Sequence, residues 1–307
     1  AYEIPKRDWS SECALPICMV SCPFGAIADK SQIFQLIRAL QSGRMIIAQV
    51  APSFAGQFGP KVTPDMFKTA LKELGFAEVY ETAIGADMGC VAEAEHYVRE
   101  VATGKQAFAL TSCCPSWAMM AKNLFPETID KISNELTPMV ATARVIKEKH
   151  PDASVVFIGP CASKKLEASR TTVRSDVDFV ITFEELTGMF EAKGILVEEI
   201  KAMDELNGAT AAGRGYGVAG GVASAIESCI KEYYPGTAVH VEHAESLAEC
   251  KKILLLAKAG KMNGCLIEGM ACPGGCVAGA GTNVAIPQAS RELAKFKAEA
   301  AQKIPPQ

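Results

Sequence analysis

Ser154-Val155-Val156-Phe157-Ile158-Gly159-Pro160-Cys161-Ala162-Ser163-Lys164-Lys165-Leu166-Glu167 is the stretch from which the fold can be read. Its first five residues are mostly β-branched or aromatic and too few for a helix, so they predict a buried strand. Gly159-Pro160 then interrupts the run and a helical pattern follows. The same kind of short apolar run recurs at Met45 to Val50, Glu78 to Glu81, Ala107 to Leu110, Phe179 to Thr182, Val239 to Glu242 and Cys265 to Glu268. Longer helical patterns lie between them, beginning with Ile33, Leu36, Ile37 and Leu40, a helix ending near Gly43. Strands alternating with helices on this scale predict an α/β fold with parallel sheets flanked by helices. The expected organisation is a domain over 43–307, with lobes at 43–151 and 152–286, the functional site between them, and a polar tail over 287–307.

The chain has 307 residues, of which 49% are hydrophobic, enough to bury a sizeable core. A formal net charge of −4 and the lack of any Lys/Arg-rich run argue against nucleic acid as a partner. Apolar stretches such as Met45 to Ala51 fall well short of the roughly 20 residues needed to cross a bilayer. No charged-then-apolar leader is present, so the sequence implies a cytoplasmic protein with no membrane partner.

Twelve cysteines in a chain of this size, two of them adjacent, do not resemble a secreted disulfide scaffold and argue for metal. Residues 1–42 read as a ferredoxin-like remnant with a connecting helix. Cys13, Cys18 and Cys22-Pro23 end in the Cys-x3-Cys-Pro of a bacterial ferredoxin run, but Glu12 and Leu15 leave only three thiolates there. An accessory cluster and a small apolar turn are both compatible with that pattern.

Three further motifs each follow a predicted strand: Thr111-Ser112-Cys113-Cys114-Pro115-Ser116-Trp117, Gly159-Pro160-Cys161-Ala162-Ser163-Lys164-Lys165-Leu166-Glu167 and Glu268-Gly269-Met270-Ala271-Cys272-Pro273-Gly274-Gly275-Cys276. Ligand sites in α/β sheets form at the carboxyl ends of strands, so three strand ends are expected to converge. Neighbouring side chains diverge, which leaves one of Cys113 and Cys114 free for another role. The i, i+4 spacing of Cys272 and Cys276 predicts a helix start with both thiols on one side. Gly274 and Gly275 are expected to let a cluster approach the backbone there. One cysteine of the doublet with Cys161, Cys272 and Cys276 makes four thiolates, the number a 4Fe-4S cluster takes. No histidine is near any of them in sequence, against a mixed Cys/His zinc site.

These segments resemble the signature segments of the iron-only (FeFe) hydrogenases, Thr-Ser-Cys-Cys-Pro-x-Trp, Met-Pro-Cys-x-x-Lys-x-x-Glu and Glu-x-Met-Ala-Cys-x-x-Gly-Cys, in that order. The likeness runs from about Cys18 through Asn283 and takes in Ala51-Pro52-Ser53, Gly85-Ala86-Asp87-Met88 and Gly220-Gly221-Val222.

The resemblance implies that Cys114, Cys161, Cys272 and Cys276 hold the 4Fe-4S cubane. Cys276 would also bridge to a two-iron subcluster bearing carbon monoxide, cyanide and a dithiolate. Lys164 would donate to one cyanide, Pro52 and Ser53 would meet the other, and Met270 would line the apolar face. Cys113 would carry protons, relayed by Glu93 and Ser133. The family's second acidic relay position falls on His96, with Glu95 as a substitute. Gly159 stands where the family has Met, Met139 where it has Gln, and Tyr216 at the aromatic before Gly-Gly-Val. These departures resemble the divergent sensory branch. Cys90, Cys229, Cys250 and Cys265 read as packing residues.

By resemblance, hydrogen and protons are the small-molecule partners, and further partners are a redox or signalling protein and the maturation proteins that build the subcluster. A second reading is a hydrogenase-like iron-sulfur protein that lacks the two-iron centre and serves cluster assembly as a scaffold or adaptor. A third is a redox-inert iron-sulfur protein. Cys113, Lys164, Met270 and Cys276 favour the first, because a plain cubane needs neither a cyanide-binding Lys nor a thiol proton donor.

Overall fold

The computed structural model describes residues 29–307. Cys13, Cys18, Cys22 and the ferredoxin-like remnant lie outside the described residues. From the amino end, the helices α1 (Ile33–Gln41), α2 (Pro64–Leu74) and α3 (Ala83–His96) are interleaved with the strands β1 (Ile46–Val50) and β2 (Glu78–Glu81). Next come β3 (Ala109–Leu110), α4 (Pro115–Leu124), α5 (Pro138–Lys149), β4 (Ser154–Ile158), α6 (Ser163–Ser169), β5 (Phe179–Ile181) and α7 (Phe183–Lys193). The last elements are α8 (Gly221–Tyr233), β6 (His240–Glu245), α9 (Leu247–Lys258), β7 (Cys265–Met270) and α10 (Ile286–Ala298).

The strands form two parallel sheets, ordered β2-β1-β4-β5 and β3-β7-β6. β1 and β4 are buried at every position, as expected of central parallel strands covered on both faces. The two polar side chains in that pair are satisfied: Gln49 Nε2 donates to Met139 O at 2.8 Å and its Oε1 accepts from Thr82 Oγ1 at 3.1 Å, and Ser154 Oγ accepts from Arg44 at 2.7 Å.

The sheets do not divide at residue 151 as the sequence suggested. The first takes β1 and β2 from one side of that point and β4 and β5 from the other, while β3 pairs with β7 far along the chain. Sequential order cannot report this, because a parallel strand needs a crossover and its neighbour can be any later strand.

The polar tail is also built in. α10 buries Ala289, Leu293 and Phe296 against the first sheet's core. Arg214, from the helical turn Ala211–Arg214, sits 3.9 Å from the Phe296 ring centre and donates to Phe296 O at 3.0 Å. Its other nitrogens grip both oxygens of Glu81 at 2.8 Å, with 3% and 2% of the two side chains exposed. Such a pair is neutral to stability as a whole but severe when half removed. Glu81→Leu should therefore lower unfolding free energy by about 3–5 kcal/mol, read from urea midpoints. Glu81→Leu with Arg214→Met should recover at least half, and no recovery would mean that the guanidinium acts mainly through Phe296.

Candidate metal centre

The loops that leave β1, β3, β4 and β7 at their carboxyl ends line one cavity. Cys113 and Cys114 come from the β3 loop, Cys161 from the β4 loop, and Cys272 and Cys276 from the β7 loop. All are free thiols. Three local devices hold the loops together. Trp117, fully buried, donates its indole N–H to Thr111 O at 2.9 Å and lies on the Gly269 backbone, where a β-carbon would come within 2.1 Å of the ring. Ser116 and Ser163 join their hydroxyls at 2.8 Å, tying the starts of α4 and α6. Gly281 N donates to Pro160 O at 2.9 Å, which fastens the chain beyond Cys276 to the Cys161 loop.

Cys272 and Cys276 do not start a regular helix. The chain turns sharply between them, with Gly274 at φ +93° and Gly275 at φ +90°, and Cys276 opens a single 3-10 turn. A β-carbon on Gly275 would lie 2.5 Å from Ala219 N, and Ala219 N donates to Gly274 O at 3.1 Å. Gly275 thus admits the 218–219 backbone, while a β-carbon on Gly274 would come within 3.1 Å of the Ile286 side chain.

The cavity also presents polar groups without protein partners. Ser53, in the turn after β1, is 1% exposed and its hydroxyl has no hydrogen-bond partner; the phenol of Tyr216 is likewise buried and unpaired. Buried orphans of this kind point to a polar ligand. Lys164 is 8% exposed, donating to Glu167 Oε2 at 2.6 Å and to Cys113 O at 3.3 Å. Burial pulls the ammonium down, but the Glu167 carboxylate more than offsets this and its pKa is raised. Glu167 is held in turn by Thr137 Oγ1 at 2.6 Å. With three N–H donors and two committed, Lys164 keeps one to offer the cavity. Pro52 and Met270 complete the wall on the β1 and β7 sides.

Burial, and then the charge of Cys114, push Cys161 up to about 11; burial, then Cys161 and Cys114, push Cys276 up to about 12; and burial followed by Cys161 raises Cys272 as well. Thiolates crowded in such a place require cations, which suits iron. Among the described residues no group of His, Cys, Asp or Glu is placed to hold a single metal ion. The five thiols round this cavity suit a polynuclear cluster instead, which takes four of them.

Glu93 lies behind Cys113 on α3, buried and bonded to the Ser133 hydroxyl. Burial pushes its carboxyl up to about 7; Ser133 draws it part of the way down, and the charges of Glu135 and Glu268 add to the rise. Ser133 is fixed by its N–H to Leu110 O at 2.7 Å, and its Oγ accepts from Glu135 N at 3.2 Å. The Glu135 side chain is exposed. His96 and Glu95 sit at the end of α3, where Glu95 faces solvent and pairs with Arg99 at 3.7 Å.

Residues 44–280 match the family model described as the iron only hydrogenase large subunit, C-terminal domain. The chain belongs to this family. It is 28% identical to iron hydrogenase 1 of Clostridium pasteurianum over 84% of its own length and 54% of that protein's. It is 26% identical to the cytosolic iron-sulfur assembly component 3 of Pongo abelii, covering 81% of this chain and 64% of that one. The chain thus spans about half the length of the first of these relatives. Among solved structures it is similar to the apo FeFe-hydrogenase HydA1 of Chlamydomonas reinhardtii, with a TM-score of 0.74, 22% identity, and 89% and 91% of the two chains covered. That likeness is one of fold.

Two features of this family member were not legible in its sequence. A β-carbon at Gly159 would fall 2.5 Å from the Phe157 ring, which lines the cavity; Phe157 thus fills space that a larger residue at 159 would claim. Glu135, two residues past Ser133, is the second, and only the fold brings its charge to Glu93. Because folded Glu93 binds its proton more tightly than the unfolded chain does, stability should fall as pH rises from 4.5 to about 7. Glu93→Gln should flatten that part of the profile of thermal midpoint against pH, and an unchanged slope would show that Glu93 is not the group responsible.

Proposed function

We propose that the chain is the catalytic domain of an FeFe hydrogenase of the sensory type, converting hydrogen reversibly to protons and electrons at a low rate. The observation that carries this reading is the single cavity that collects Cys113, Cys114, Cys161, Cys272 and Cys276 with a buried Lys164 and an unpaired Ser53 hydroxyl. Cys114, Cys161, Cys272 and Cys276 would hold the 4Fe-4S cubane, with Cys276 the thiol that would also link it to the two-iron subcluster with its CO, CN and dithiolate ligands. When bound, that group supplies the iron at which hydrogen is split or made and the path by which electrons leave.

The chain's own part is to orient and to move protons. The free N–H of Lys164 and the hydroxyl of Ser53, beside Pro52, would donate to the group's anionic ligands, and Met270 would keep its side of the wall apolar. Cys113 hands protons to Glu93, whose pKa near 7 lets it both accept and donate at neutral pH. From there they pass to Ser133 and leave at Glu135, the exposed acid beside it, in place of His96 or Glu95. The Phe157 substitution of space at Gly159, and Met139 at the cavity wall, fit a slow turnover suited to sensing. A cytoplasmic setting, a separate redox or signalling partner and dedicated maturation proteins belong to this reading.

The relatives named for iron-sulfur assembly support a second reading, a cubane-bearing scaffold without the two-iron centre. Infrared spectra of matured protein separate the two, since only the first reading requires cyanide and carbon monoxide stretches. Under the first, Cys276→Ala should abolish those bands while Cys250→Ala leaves iron content unchanged. Cys113→Ala should retain iron and bands yet lose at least roughly 100-fold in hydrogen turnover. Full cubane content with no bands in matured wild-type protein would favour the scaffold; iron loss in Cys113→Ala would transfer the ligand role to Cys113.

A further inference from the structure

Behind the cavity, α3 and α8 pack against each other and enclose two cysteines that the proposed chemistry does not use. Cys90 and Cys229 are both fully buried, in the same apolar cluster as Ala86, Ala94, Val222 and Ile226. Their sulfurs are 3.0 Å apart, although the residues are 139 positions apart in the chain. A disulfide bond is about 2.05 Å long, so closing it needs the sulfurs to approach by only about 1 Å. Two helices brought together by their own apolar faces therefore hold the pair near bonding geometry in the reduced state. Cys250, also buried, is placed differently: its thiol faces the carbonyls of Ala244 and Met270 at 3.6 and 3.5 Å.

We propose that Cys90 and Cys229 form a reversible disulfide that staples α3 to α8 when the protein meets a peroxide-class oxidant. The two sulfurs share a hydrogen bond in which either can be the donor. The sulfur that gives up its proton attacks, and Cys229 is taken as that sulfur. Its thiolate displaces hydroxide from hydrogen peroxide, giving a sulfenic acid and, with a proton, one water. The Cys90 sulfur then displaces the sulfenic hydroxyl, which leaves with the Cys90 proton as a second water. Two thiols have lost two electrons and two protons, and one peroxide has become two waters. Full burial means that the oxidant enters through local opening, which selects small oxidants over bulky disulfides.

The location gives the staple a reader. Cys90 lies three residues before Glu93 on α3, and both cysteines share their buried cluster with Tyr216, which lines the cavity. Closing the bond fixes the helix that carries Glu93 against the helix that follows the Tyr216 segment. The pairing does not depend on the hydrogenase reading, since neither cysteine is assigned a place in the metal site.

The test uses the full reduced chain, treated anaerobically with hydrogen peroxide, then denatured and alkylated with N-ethylmaleimide before peptide mapping without reductant. The Cys90 and Cys229 peptides should appear joined, lighter than their sum by two hydrogens, and should separate with dithiothreitol. In Cys90→Ser, dimedone should label Cys229 as the trapped sulfenic acid. Complete alkylation of both residues while the cavity cysteines are oxidised would overturn the proposal, as would Cys90 joined to any other cysteine. Both readings come from thiol mapping, so they stand whether or not the protein turns over hydrogen.

Discussion

Every strand of each sheet runs parallel to its neighbours, so the loops leaving the carboxyl ends must open on the same edge. That one constraint brings together residues as distant as Ser53 and Cys276. It also explains why the cysteines sit in loops: a strand fixes where its end lies, and the next helix fixes how far the loop reaches. Cys114 stands directly ahead of α4, whose first residue is Pro115, and Cys161 two residues ahead of α6. The Trp117 ring on the Gly269 backbone locks the β3 loop to the β7 loop across the sheet. A bulkier residue at 269 would separate thiols that must act together.

The cavity is assembled at a cost in stability. The buried hydroxyls of Ser53 and Tyr216 without partners, and the half-buried thiols beside them, each disfavour the fold when nothing answers them. The expense is offset by the ordinary core of β1 and β4 and by fully satisfied anchors elsewhere. Asp87, for example, accepts from Thr210 N, Thr210 Oγ1 and Gly213 N at 2.7, 2.6 and 2.9 Å, fixing the start of α3 against the Ala211–Arg214 turn. α3 therefore presents Glu93 to Ser133 from a rigid base.

Much of this was legible from residues alone. The strands at Glu78–Glu81 and Ser154–Ile158 coincide with their apolar runs, and the others differ by one to three residues at an end. Short runs of β-branched residues bounded by Gly, Pro or charge leave few alternatives. The cysteine loops were legible too, because each followed such a run. What stayed hidden depended on contacts between distant segments. Residue spacing suggested a helix at Cys272, but the chain turns at two positive-φ glycines, and the second, Gly275, answers to Val218 and Ala219, which lie more than fifty positions earlier. The interleaving of the sheets, the docking of α10 and the nearness of Glu135 to Glu93 are of the same kind. Glu93 and Ser133 were placed by counting from motifs, and the hydrogen bond between them is a property of the fold.

The pairing of Ala109 with Leu266 also has a bearing on synthesis. A ribosome adding roughly 5–20 residues per second leaves β3 without its neighbour for on the order of ten seconds. An unpaired edge is a hazard in a nascent chain, and β3 limits it by being two residues long. The first sheet is complete once β5 has emerged, while the second waits for β7. Cys113, Cys114 and Cys161 therefore exist for a time as exposed thiols on a half-built scaffold, with Cys272 and Cys276 still to come. A site divided this way across translation is complete only once the β7 loop with Cys272 and Cys276 has been made.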